Sequence, residues 1–223
     1  MTTKANSPVF SDDLSFVKAL VSWVRARCQR IAAEKRISDS EWRDPEIDGV
    51  IGPVERTAHK EARRRIPGLK KAEDDLAVEI EERVATNRAS GPKLGLDALL
   101  EEAGVPDDEF CRTVIILATV AALGVEEANI LDPVGGKGFG CNVSAEAVWA
   151  FLGLSLAERL RSRLHLVPTS SFMRAGLITL SLGRVSAPRD LPSADIEITS
   201  RAFAKMVGMP ELAPQKAGRS QEA

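Results

Sequence analysis

The sequence predicts a mainly α-helical protein, an N-terminal helical unit followed by a second helical domain that ends in a small two-stranded β-ribbon. Three observations carry that expectation. Phe110 to Leu123, FCRTVIILATVAAL, is a strongly apolar run opened by Asp107 and Asp108 and closed by Gly124; it falls short of the roughly 20 apolar residues that span a bilayer, so it reads as the spine of a soluble core. Leu14, Val17, Leu20, Val21, Val24, Cys28 and Ile31 recur at spacings of mostly three and four, one face of a helix. Ile178, Leu180 and Leu182 alternate with polar neighbours, as does Asp195-Ile196-Glu197-Ile198-Thr199, the period of paired strands.

Taken from the N-terminus, Ser11 stands at a capping position, and Asp12 and Asp13 suit the positive end of the helix dipole. Arg25, Arg27, Arg30, Lys35 and Arg36 load the opposite end, so the first helix is expected to finish near Arg36. Ser38 to Pro53 contains Asp44-Pro45 and Gly52-Pro53 and reads as a connector, with Trp42 pinning it to a neighbour. Val54 to Arg65 is helix-compatible and ends in Arg63-Arg64-Arg65 ahead of Pro67-Gly68; another helix follows over Lys71 to Thr86, where Leu76, Ile80 and Val84 repeat at spacing four. Ser90-Gly91-Pro92 divides a helical region, 1–90, from a second domain, 91–209, and residues 210–223 read as a disordered tail or linker.

The second domain opens on a short helix with Leu94, Leu96, Leu99 and Leu100 and passes through Gly104-Val105-Pro106 into the apolar helix. Asp132 to Gly140, DPVGGKGFG, is loop by composition. Ser144 caps a helix over Ala145 to Leu152, and Ser155 caps the next, whose core face is expected to be Leu156, Leu160 and Leu164. Ser170 and Ser171 suit a brief helical turn before the ribbon, and Ser200 is expected to cap a last helix, Arg201 to Val207, stopped by Gly208 and Pro210. Helices followed by a two-stranded ribbon form the order of a winged-helix domain, a helix-turn-helix elaborated by a β-hairpin.

Composition narrows the function classes. Thirty Lys and Arg against 32 Asp and Glu give a net charge of −2, so no global field holds a polyanion. Aromatic residues are 4% of the chain and Tyr is absent, which counts against stacking platforms for single-stranded nucleic acid. Cys28, Cys111 and Cys141 are odd in number and widely spaced, as free thiols of a reducing compartment would be, and the N-terminus lacks the pattern of a secretory signal. A cytoplasmic protein without a membrane segment is expected.

No catalytic, cofactor or metal site is expected. Gly135 to Gly140 fails the P-loop pattern GxxxxGK followed by Ser or Thr, since Gly138 follows Lys137, and it fails GxGxxG as well. His59 and His165 have no Cys, His or Asp neighbour at zinc-ligand spacing, and His165 suits a helix C-terminus. Cys111 and Cys141 read as buried small hydrophobes, and Ser170 and Ser171 lie in no GxSxG elbow. The candidate contacts are arginines. Arg159 and Arg163 share a face of the third winged-helix helix, with Arg161 pointing elsewhere, and Arg63, Arg64 and Arg65 form a second cluster. For both clusters a solvated or protein-contacting role outweighs nucleic-acid reading, because phosphate contacts call for a wider basic stripe.

The chain resembles the region that precedes the ATPase module in a group of bacterial AAA ATPases, including those associated with contractile injection systems. The similar blocks are Trp23-Val24-Arg25-Ala26-Arg27 with Asp44-Pro45 and Gly49 to Glu55; Asp108 to Leu123; and Ser144 through Leu154, Arg174-Ala175-Gly176-Leu177-Ile178 and Ile196 to Gly208. That resemblance implies a winged-helix-like domain ahead of a hexamer-forming ATPase that remodels protein assemblies. The chain departs from it in having no Walker A, no hydrophobic strand ending in paired acids and no arginine finger. Ala175 stands where the family often has His, and the 135–140 loop replaces a longer segment.

The expectation is therefore a non-enzymatic adaptor, either a fragment lacking its motor or a stand-alone relative. It would bind its own or a separate AAA ATPase module, or that machine's substrate assembly. A winged-helix DNA-binding regulator is the alternative, and an enzyme with a site assembled from distant residues the third reading.

Overall fold

The computed structural model describes residues 9–41, 53–135, 143–181 and 193–213, with the side chains of 39–41 and 53–59 excepted. Helix α1, Asp13–Glu41, runs past the expected stop at Arg36, since neither Gly nor Pro intervenes before Pro45. Asp12, not Ser11, supplies its cap: the Asp12 carboxylate accepts from the Ser15 amide at 2.6 Å. The connector and Trp42 lie outside the described residues.

Helix α2, Pro53–Ser90, corrects the sequence reading more sharply, because the two helices expected on either side of Pro67-Gly68 are one. Proline removes one backbone donor and crowds the preceding turn. Here Pro67 and Gly68 are both exposed, so water can satisfy the freed carbonyl, while neighbouring turns stay packed on α1. The two helices are antiparallel, as three contacts spaced along them show. Asn87 of α2 accepts from the Phe10 amide at 2.8 Å and donates to the Phe10 carbonyl at 3.1 Å. Glu73 receives Arg30 at 2.5 Å and Arg27 at 3.5 Å. Arg36 of α1 and Arg65 of α2 line a common cleft nearer the other end.

Helix α3, Gly95–Glu102, follows, and α4, Glu109–Leu123, is the apolar spine. Asp108 caps α4 through the Cys111 amide at 2.7 Å, and residues around its whole circumference from Phe110 to Val120 are buried. A helix apolar on every side belongs in the middle of a core. Accordingly α4 touches α1, α3, α9 (Ser200–Met206), α6 (Ala145–Leu152) and strands β1 (Val143–Ser144) and β3 (Asp195–Ile198). Between α4 and β1 lie α5, Val125–Ala128, and a 3-10 turn, Asn129–Leu131.

Among the described residues the sheet has three antiparallel strands in the order β1-β3-β2, where the sequence predicts two; β2, Ile178–Ser181, follows the one-turn helix α8, Ser171–Arg174. Ile178 pairs with Ile198 and Leu180 with Ile196, as the alternation of both segments requires. The added strand, β1, pairs Val143 with Ile196; two residues are too few to show a period of two. After β3, Thr199 rather than Ser200 caps α9, accepting from the Ala202 amide at 3.4 Å. A 3-10 turn, Pro210–Leu212, ends the described chain.

Close approach fixes how α9 returns on α3. A Cβ at Gly95 would stand 2.2 Å from the Lys205 carbonyl oxygen, so only glycine fits there. Its amide donates to Asp13 at 2.6 Å, tying the start of α1 to the same junction. A second tie joins α2 to α3: Arg88 grips Asp97 through Nε at 2.9 Å and Nη2 at 2.6 Å. Burial works against the Asp97 carboxylate, but the bond and charge of Arg88, with Arg112 and Lys93 behind it, hold it below its ordinary value. The apolar side chains of α1 share one contiguous core with those of α3, α4, α6 and the sheet.

Two predictions follow from these ties. Removing the Glu73 carboxylate leaves Arg27 and Arg30 without their shared partner, so Glu73→Ala should destabilise the fold by about 3 kcal/mol, read by urea unfolding. Asp97→Asn should cost about 1 kcal/mol at neutral pH, a modest figure because Arg88 is half exposed. A depressed carboxylate stabilises above its unfolded pKa and loses that contribution as pH falls, so the gap between variant and wild type should close as pH drops below about 3.8.

Candidate functional site

Helix α6 and α7, Leu156–Ser162, form the helix-turn-helix, joined by Gly153, Leu154 and Ser155. Gly153 adopts φ 69°, the left-handed conformation that turns the chain, and its amide closes on the Trp149 carbonyl. Ser144 caps α6 through the Ala147 amide at 3.2 Å. Ser155 and Glu158 make a reciprocal capping box at the start of α7, and their hydrogen bonds hold the Glu158 carboxyl below its ordinary value.

What α7 buries reverses the sequence reading. Leu156, Leu160 and Leu164, expected to form its core face, are 73%, 51% and 65% exposed. The helix is instead held by Ser162, whose buried hydroxyl accepts from the Trp149 indole at 2.8 Å, and by Leu166 in the 3-10 turn Arg163–Leu166 that extends it. Spacing four defines a face, yet on a helix of two turns it cannot say which side meets the core. The signal that could have found the answer is Trp149 with a small polar partner one helix later.

The predicted arginines divide. Arg159 is exposed, its Nε donating to the Leu154 carbonyl at 2.8 Å, and Arg161 is exposed beside it. Arg163 is half-buried, its guanidinium 5.3 Å from the Trp149 ring centroid, so its charge is spent partly on α6. Arg63, Arg64 and Arg65 lie exposed on α2, so the two clusters stay on separate elements. Of the glycine loop, Gly136 to Gly140 falls outside the described residues, as does Cys141.

Two further features emerge only in three dimensions. A cleft of about 450 Å³ opens between the helical hairpin, α3 and α4, with Phe16, Leu20, Trp23 and Ile116 lining it and Arg88, Arg112, Asp107 and Glu109 adding charge. On the far side of α4's N-terminus, His165 Nε2 stands 3.1 Å from Asp108 Oδ2, and the His165 ring lies 6.0 Å from that of Phe110. Cys111 joins this pair, with one ligand-capable atom from each residue inside a 4.8 Å circle. Burial first, and the Asp108 carboxylate second, push the Cys111 thiol up; burial likewise pushes Cys28 up to about 12. Neither thiol is a ready nucleophile at neutral pH.

A strand ahead of a helix-turn-helix, two further strands, and the order β1-β3-β2 are consistent with a winged-helix domain. A model described as a winged helix domain, variant, matches residues 1–217. The chain belongs to the variant winged-helix family. No curated protein and no solved structure matches it. Winged-helix domains bind DNA or protein and are typically non-catalytic. Among the described residues no helix is long and apolar enough to cross a membrane.

Since α7 hangs on the Trp149 indole, Ser162→Ala should strand a buried N–H donor and cost about 1–3 kcal/mol. Hydrogen exchange should show the loss concentrated in residues 156–166, with α4 unaffected.

Proposed function

We infer that this winged-helix protein is a non-catalytic adaptor that docks a protein partner through the exposed leucine face of α7. The carrying observation is Leu156, Leu160 and Leu164, about one side chain per turn, standing in solvent along α7 and its 3-10 extension, the second helix of the helix-turn-helix. A partner that buries a leucine gains roughly 1.5–3 kcal/mol, and phosphate offers no such gain. Arg159 and Arg161 rim the leucines, so a partner with an apolar ridge and acidic flanks fits best. The resemblance of the sequence to regions preceding AAA modules favours an AAA-type remodelling ATPase, or the assembly it acts on, as that partner. Hydrolysis of ATP would take place on the motor's residues.

The exposure of Arg159 and Arg161 favours one other reading, a DNA-binding regulator with α7 in the major groove. The half-buried Arg163 and the leucine stripe weigh against it, because both shrink the basic surface that α7 can offer to phosphates.

A photo-crosslinking residue at position 160 in cells is expected to give a discrete protein adduct containing an AAA-type nucleotide-binding module. Leu156→Ser with Leu164→Ser should weaken the same contact by roughly 10-fold or more while leaving the unfolding midpoint within error. Crosslinks to DNA, together with duplex binding that falls by orders of magnitude between roughly 50 and roughly 200 mM salt, would transfer the case to the regulator.

A further inference from the structure

We propose that Asp108, Cys111 and His165 form a binding site for a divalent transition-metal cation of the zinc type, at the junction between α4 and the 3-10 extension of α7. One oxygen, one sulfur and one nitrogen converge there within 4.8 Å of one another, a mixed set that suits zinc or cobalt and leaves a fourth position for water. They come from two segments far apart in sequence. Asp108 and Cys111 occupy the N-cap and first turn of α4, and His165 arrives from the end of α7's extension.

The geometry assigns each atom a role. Asp108 Oδ1 is occupied by the Cys111 amide at 2.7 Å, which fixes the carboxylate and leaves Oδ2 facing His165 Nε2 at 3.1 Å. That separation suits two ligands of one small cation. Cys111 is fully buried, whereas the side chains of His165 and Asp108 are 31% and 29% exposed, so an ion can enter from solvent on the histidine side. Residue types and access both distinguish this cluster from a bare helix cap, which needs neither thiol nor imidazole. Binding replaces the proton of the Cys111 thiol, which is released to solvent, with a metal–sulfur bond.

Cobalt(II) reports the site directly, because only a cobalt–thiolate bond gives a sulfur-to-metal charge-transfer band. Titrating the full chain should produce that band at one cobalt per chain, with zinc(II) displacing it and raising the unfolding temperature. Cys111→Ser should abolish the band; Cys28→Ser and Cys141→Ser should keep it. His165→Ala and Asp108→Asn should each weaken cobalt binding by more than about 10-fold, the scale on which even outer partners of a ligand matter. Asn caps a helix about as well as Asp, so Asp108→Asn keeps the cap of α4 while removing the anionic oxygen that faces His165. No band in large cobalt excess, a band that survives Cys111→Ser, or full affinity in Asp108→Asn would each overturn the site. Circular dichroism checks folding, and Asp108→Asn decides the matter if another variant does not fold.

Discussion

Glu73 is the carboxylate on which the presentation of α7 depends. Buried on α2, it holds Arg27 and Arg30 of α1, and Arg27 in turn donates to the Phe151 carbonyl of α6 at 2.8 Å with its guanidinium 4.7 Å from the Phe151 ring centroid. Burial lowers the pKa of Arg27, and the charge of Glu73 opposes that shift, so the pair is mutually dependent. From α6 the chain of contacts continues through Trp149 to Ser162 and Arg163. A sequence of polar and cation–aromatic contacts thus runs from the hairpin to the helix that shows its leucines to solvent. Directional bonds specify orientation in a way that interchangeable leucine contacts do not. The hairpin therefore acts as a strut for the helix-turn-helix.

That strut explains how α7 can leave an apolar face unburied. A short helix ordinarily stays folded because its apolar stripe packs on a core. Here the capping box, the Trp149–Ser162 bond and Leu166 perform that task, and the stripe is left for something else. Exposure of three leucines on a two-turn helix and its 3-10 extension is an aggregation hazard in isolation, which is what the proposed partner would relieve by covering them.

What the sequence makes legible follows from how local each determinant is. The caps at Ser144, Ser155 and Ser170 involve amides three residues on, and all three lie where the residue types place them; Asp108, read from sequence only as part of an acidic opening, caps α4 in the same way. The apolar α4 and the alternation of β2 and β3 are equally local, and the mainly helical winged-helix class follows from their order. Pro67 was illegible because its tolerance depends on which side of α2 faces water. The leucine face of α7 was illegible because the bond that decides it comes from Trp149 on another helix. Zinc-like spacing, likewise, is a test of neighbours along the chain, and it cannot register a histidine delivered to Cys111 by folding.

The two surface features then turn out to share a backbone. Leu164, the last residue of the exposed stripe, immediately precedes His165, and both sit in the 3-10 turn that extends α7. That turn is fixed on one side by Leu166 in the core and on the next by Ser170, whose hydroxyl donates to the His165 carbonyl at 2.7 Å. A cation joining His165 to the N-terminus of α4 would anchor the same turn to the buried spine of the fold. Anchoring lowers the ordering entropy that a partner must overcome when it closes on Leu160 and Leu164, so metal and partner would bind with positive coupling even if neither moves the backbone. Linkage makes the coupling reciprocal: a partner seated on the leucines would tighten the cation by the same factor.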